Sequence, residues 1–165
     1  MENKQVLLLE VIKEMVWWLI TALVTAAILY PITSKVQYQM LWVNALIVFV
    51  ALTYFRYAVM LRSVYVLRSK WVKFLLSVVN INFFIYVLRQ QQNFLGISNS
   101  FTVQELGKPF KVMTMEDSYS LFNYFSSETT FAVVACLTLI VALTVRMVVV
   151  YWGAAHLRLN AGSEE

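Results

Sequence analysis

The chain has 165 residues, of which 61% are hydrophobic and 13% are charged, whereas soluble domains average about 45–50% and 25%. This length and a mean hydropathy of +0.70 predict one domain that faces lipid over most of its surface. The net charge of +4 arises from basic residues concentrated between two apolar runs. That pattern indicates membrane topology and excludes a nucleic-acid partner.

Four long apolar runs, none with an internal glycine or proline, predict four membrane-spanning helices. With their flanking residues, the spans are expected at about 15–32, 38–60, 71–91 and 129–152. The third is the weakest, because its uncharged core at 74–88 reaches only about 22 Å of the ~30 Å hydrocarbon layer. It crosses only if Lys73 and Arg89 extend to the interfaces. The predicted fold class is all-α: an integral membrane four-helix bundle.

The N-terminal residues 3–14 carry apolar side chains at helical spacing and predict an amphipathic helix that runs into the first span. Since no small-x-small site follows, we expect a retained anchor rather than a cleaved signal peptide. Pro31 is expected to close the span, and residues 33–35 to form a turn. Because this connection is short, the first two spans must be antiparallel neighbours.

Residues 89–128 form a segment of roughly 40 residues between the third and fourth spans. Its polar start, 89–100, is expected to be irregular. A short helix is predicted after it, capped by Ser100 or Thr102, and Thr102 and Glu105 have the spacing of a capping box.

The sequence YSLFNYF, preceded by a predicted cap at Asp117, is expected to form a second short helix lying in the headgroup layer. Phe122 and Phe125 share one face of this helix and are expected to be exposed. Together with Tyr119 they are the predicted contacts with a partner, because so short a helix needs something to bury against.

The distribution of basic residues predicts that both termini are cytoplasmic and that 89–128 lies outside. Nine basic residues fall on the terminal side and four on the other, and the positive-inside rule places the richer side in the cytoplasm. The nine are Lys4, Lys13, Arg56, Arg62, Arg68, Lys70, Lys73, Arg146 and Arg158, and the four are Lys35, Arg89, Lys108 and Lys111. We expect the inner (plasma) membrane of a bacterium, with anionic lipid headgroups contacting the basic face.

The residues present argue against metal or cofactor binding, nucleophilic catalysis and ion-coupled transport. One histidine, His156, and one cysteine, Cys136, do not supply a haem cage or a zinc site, so no metal or cofactor is predicted. No base accompanies a nucleophile, so we predict no catalytic residue and no enzyme. Unbroken spans without central carboxylates argue against an ion-coupled transporter.

Polar residues within the spans are candidates for contacts between helices. Asn44, Asn80 and Asn82 are the predicted interhelical polar residues. Because Asn80 and Asn82 are two positions apart and point to different faces of their helix, at least one of them is expected to face another helix. A ligand or quinone contact is the alternative for these asparagines.

Four charged residues are predicted to lie at one depth, roughly 25 Å below the outer surface. Three of them are Glu14, Arg56 and Arg146, each placed 17 residues from the outer end of its span, and the fourth is Lys73. We expect Glu14 to pair with Arg56 or Arg146 in this charge layer. The alternative is that each side chain reaches lipid phosphate independently.

The sequence favours a small non-catalytic membrane subunit that scaffolds or stabilises a larger complex of membrane protein chains. An oligomeric channel or transport component, with its pore between protomers, is the alternative. A lipid-handling enzyme is a third hypothesis, weakened by the lack of a base or nucleophile.

Overall fold

The computed structural model describes residues 2–59, 70–100 and 106–161. Within these ranges the chain forms four helices and one pair of short strands. The helices are α1 (Glu2–Thr33), α2 (Leu41–Val59), α3 (Lys70–Ser100) and α4 (Met115–Ala161), and the strands are β1 (Val36–Tyr38) and β2 (Gly107–Pro109). The capping-box residues Thr102 and Glu105 lie outside the described residues.

Three of the helices are long and apolar enough to cross a membrane: α1, α2 and α4. The helix α3, which contains the predicted third span, is not among them. It nevertheless packs along α4, and its buried Val87 and Phe94 join the same core as α2 and α4. The bundle therefore contains four helices, of which three have the composition of a membrane span.

The first helix agrees closely with expectation, since α1 continues from the leader through the apolar run without a break. Pro31 lies in the last turn, and the helix ends two residues later at Thr33. A proline near the C-terminal end of a helix limits its extension.

The helix α4 is 47 residues long and continuous, so the expectation of a separate short YSLFNYF helix is wrong. The cap also lies earlier than Asp117. Thr114 Oγ1 accepts a hydrogen bond from the Asp117 backbone N–H at 3.1 Å and donates to its carboxylate at 2.8 Å. Thr114 is therefore the N-cap of α4, and the Asp117 carboxylate accepts from its hydroxyl rather than from its backbone N–H, as it would in a capping box.

The polar segment 89–100 is helical rather than irregular, because it forms the last third of α3. Phe94 is buried there against Phe125 of α4, with their ring centroids 6.2 Å apart. Ser98 also donates to the Ser126 hydroxyl at 3.0 Å. These contacts with α4 extend the helix through a sequence that has little apolar character of its own.

A short antiparallel strand pair, which the all-α prediction did not include, joins the α1–α2 connection to the segment before α4. Val36 pairs with Pro109 and Tyr38 with Gly107. A Cβ at Gly107 would lie 1.9 Å from the carbonyl oxygen of Gln37, so only glycine allows this approach. We call this end of the bundle the hairpin end.

Candidate functional site

The charge layer contains one well-formed ion pair. Arg56 donates to both carboxylate oxygens of Glu14, with each N–O distance at 2.8 Å, so the predicted contact between these residues is present. The side chains are only 12% and 9% exposed. The Arg56 guanidinium also lies 5.1 Å from the ring centroid of Trp17 and 5.7 Å from that of Tyr57. This arrangement ties α1 to α2 by charge and by cation–π attraction.

The other two members of the predicted layer do not share this pair. Arg146 is exposed on α4, and Glu14 already uses both oxygens on Arg56. The side chain of Lys73 lies outside the described residues. The structure thus brings together two of the four residues, and a role for the remaining two in binding lipid headgroups stays a prediction.

Asn80 forms the interhelical contact expected of an asparagine inside a bundle. Its Oδ1 accepts from the Tyr54 hydroxyl at 2.6 Å, and its Nδ2 donates to Thr144 Oγ1 at 2.9 Å. Asn80 is fully buried. One side chain of α3 therefore connects α2 with α4, which fixes the relative position of three helices.

Asn82 does not form the predicted interhelical hydrogen bond. It is exposed, and its Nδ2 donates to the Val78 carbonyl of its own helix at 3.0 Å. Because Asn80 and Asn82 are two positions apart, they point to different faces of α3, and only the first faces the core.

Phe122 and Phe125 do not form an exposed face, so this expectation is also wrong. Both are buried, and the two rings pack edge-to-face at 6.3 Å. Phe125 also contacts Tyr38 of β1 at 6.0 Å. They are buried because the strand pair and the end of α3 cover the face that was expected to meet lipid or a partner. Tyr119, in contrast, is exposed.

The exposed apolar surface at this end lies just before α4 instead. Phe110 and Met115 are largely exposed, and Val112 is fully exposed. Residues 112–114 have no regular secondary structure, so these side chains are displayed by the connection between β2 and α4. With Tyr119 they form what we call the apolar patch: Phe110, Val112, Met115 and Tyr119.

A second polar site lies at the hairpin end, beneath the strand pair. Asn44 of α2 donates from Nδ2 to Glu128 Oε2 of α4 at 2.8 Å, which confirms the interhelical contact predicted for Asn44. The other oxygen of each side chain, Asn44 Oδ1 and Glu128 Oε1, is buried without a hydrogen-bond partner among the described residues, and so is the Tyr38 hydroxyl. We call these three residues the oxygen cluster.

The Tyr38 hydroxyl faces the other two members of the cluster. Tyr38 lies in β1, outside the three candidate spans. Its pKa is raised above the ordinary value by burial and, to a smaller extent, by the Glu128 carboxylate, while a contact with the Asn44 side chain acts in the opposite direction. The phenol therefore keeps its proton at neutral pH and remains a hydrogen-bonding group.

The sequence analysis missed Glu128 and Tyr38, because Glu128 was assigned to the outer segment 89–128 and Tyr38 to the first position of the second span. Glu128 follows Phe125 by three residues and precedes the buried Ala132 by four. That spacing places Glu128 near the buried face of a continuous helix. This spacing could have identified Glu128 as a residue near the core, but only if the fourth helix had been predicted to begin well before Thr129.

Within the described residues, no group of three or more histidine, cysteine, aspartate or glutamate side chains is placed to hold a metal ion. Cys136 is buried in the core of α4. The oxygen cluster, with a single carboxylate, differs in kind from such a site.

No protein-family model, curated protein sequence or solved structure matches this chain.

Proposed function

We propose that this chain is a non-catalytic membrane subunit, and that it binds another membrane protein chain through the apolar patch. The observation that supports this is the complete exposure of Val112 beside the nearly complete exposure of Met115. Val112 lies in the connection between β2 and the Thr114 cap, and Met115 is the first residue of α4. Exposed apolar side chains this close together in the chain, held between two anchored elements, are a candidate interaction site.

The patch lies just outside the outer end of α1. The Phe110 backbone N–H donates to the Lys35 carbonyl at 3.0 Å, and the Asp117 carboxylate lies 3.8 Å from the Lys35 ammonium. The patch is therefore close to the level of the headgroup layer, and the crosslinking experiment below distinguishes a protein partner from lipid.

We further propose that all four helices cross the membrane, with both termini cytoplasmic and the hairpin end outside. The support for a crossing α3 is that it accompanies α4 across the bundle. Asn80 contacts Thr144 near one end, and Phe94 contacts Phe125 near the other. A helix that lay on the surface would not meet α4 at two positions 19 residues apart. In a bacterial cell, this topology places the basic 56–73 segment against the anionic cytoplasmic leaflet.

Accessibility of introduced cysteines tests this topology. The background is Cys136→Ala, which removes the natural thiol. A cysteine at Asn99 is expected to react with an impermeant reagent added from outside, and a cysteine at Ser69, outside the described residues, is not. Reaction of both positions from one side would show that α3 does not cross.

Photo-crosslinking tests the partner. A photoreactive residue at Val112, introduced into the full chain in its native membrane, is expected to form an adduct with a different protein chain. The control position is Val134, which is also exposed but lies well inside α4, where lipid is the expected neighbour. An adduct only with lipid at Val112 would refute the proposal. An adduct only with a second copy of this chain would support the oligomeric channel instead.

A further inference from the structure

When Glu128 is ionised, the oxygen cluster carries an unbalanced charge. Among the described residues, the ion pairs are Glu14 with Arg56 and Lys35 with Asp117, so the Glu128 carboxylate has no basic partner there. Its hydrogen bond from Asn44 involves a neutral amide. A carboxylate whose oxygen is buried is costly unless its charge is compensated.

The unpartnered atoms of the cluster are all oxygens. Asn44 is fully buried, and its Oδ1 is held near Glu128 because the Nδ2 of the same amide is bonded to that carboxylate. Tyr38 is also buried, and Phe125 supports its ring from the side. Three buried oxygens from β1, α2 and α4 thus belong to side chains that interact with one another, since Asn44 bonds to Glu128 and Tyr38 interacts with both. Hard oxygen ligands of this kind select cations of the alkali and alkaline-earth type.

From this geometry we propose that Tyr38, Asn44 and Glu128 form a binding site for a small monovalent cation such as Na⁺. One carboxylate neutralises one positive charge, whereas a divalent ion would leave a net charge buried. The ligands would be Tyr38 Oη, Asn44 Oδ1 and Glu128 Oε1. Because they come from three separate elements, the ion would hold the hairpin end onto the helices. This site is independent of the apolar patch and of the proposed partner.

A cleft of about 380 Å³ opens beside Tyr38 at the hairpin end, and its polar lining residues include Gln37, Gln39 and Lys108. Asn44 and Glu128 do not line this cleft, so an ion that enters from it must pass the Tyr38 side chain.

Thermal unfolding of the purified full chain tests the site. The chain is compared in NaCl and in choline chloride at equal ionic strength and at pH 8, since choline is too large for the cluster. Stabilisation should follow the logarithm of Na⁺ concentration above the dissociation constant. At ten times that constant, we expect Tm to be about 3–6 °C higher in NaCl.

Two variants and two matched controls make the test specific. Glu128→Gln removes the negative charge. Tyr38→Phe removes one oxygen but keeps the aromatic ring that packs against Phe125. Both variants should abolish the difference in Tm between NaCl and choline chloride. Glu116→Gln and Tyr119→Phe make the same chemical changes at exposed positions and should preserve it. If Glu128→Gln does not fold, Tyr38→Phe still decides.

Two results would overturn the proposal. One is the same Tm for the unaltered chain in NaCl and in choline chloride at pH 8, even if its Tm rises when the pH is lowered. Glu128 would then be neutralised by a proton, with Tyr38 and Tyr124 as the titratable groups that interact with it. The other is a sodium effect that persists in Tyr38→Phe and Glu128→Gln.

Discussion

Replacing Glu14 with glutamine is expected to destabilise the bundle strongly. The variant leaves the Arg56 guanidinium buried against a neutral amide, and it weakens two charge-assisted hydrogen bonds of 2.8 Å. Removing one partner of a buried pair costs about 3–5 kcal/mol. Because Trp17 and Tyr57 still contact the guanidinium, we expect the lower limit, about 3 kcal/mol. That corresponds to a Tm lower by roughly 6–12 °C for a chain of this size.

The assay is reversible unfolding in detergent micelles, carried through a double-mutant cycle. Glu14→Met and Arg56→Met alone should each destabilise, whereas the double variant Glu14→Met/Arg56→Met should recover most of the loss, because no buried charge remains unpaired. The matched control is Lys35→Gln, which removes an exposed ion pair with an N–O distance of 3.8 Å. It should cost less than about 1 kcal/mol. Equal costs for Glu14→Gln and Lys35→Gln, or additive single variants, would refute the reasoning.

Five further variants test the packing, the first four by the same unfolding assay and the fifth by amide exchange. Phe125→Ala removes a fully buried ring and should cost about 3–5 kcal/mol, while Tyr119→Ala should change the unfolding free energy by less than about 0.5 kcal/mol. Asn80→Ala should cost about 1–3 kcal/mol because it leaves the buried Tyr54 hydroxyl without its acceptor, and Asn82→Ala should cost less than Asn80→Ala. Gly107→Ala should disrupt the strand pair, measured as faster amide exchange in β1, and unchanged exchange would contradict the close approach described above.

The sequence predicted those features that follow from helical spacing alone. Counting 17 residues from the outer ends of two apolar runs placed Glu14 and Arg56 at the same depth, and the structure joins them. The rise of an α-helix is constant, so depth along a span can be calculated without knowing how the helices pack. In the same way, the two-residue separation of Asn80 and Asn82 indicated that they face different directions.

The features that were missed depend on where helices begin and on distant contacts. The buried face of α4 includes Phe125, Thr129, Cys136 and Ile140 at helical spacing. This face is continuous from the predicted short helix into the predicted fourth span, and the two form a single helix. Because the fourth span was predicted to begin at Thr129, neither this buried face nor the position of Glu128 near it was recognised. The three-residue strands have too little pattern to be recognised before their partners are known.

The most direct test of the central claim is the mass of the assembly extracted from native membranes in mild detergent. The unaltered chain is predicted to co-purify with a different membrane protein. The double variant Val112→Ser/Met115→Ser should be recovered alone, with its unfolding temperature unchanged, while Val134→Ser should remain assembled. Recovery of the unaltered chain as a monomer or as a ring of identical copies would contradict the account. An intact hetero-complex with the double variant would contradict docking through the apolar patch.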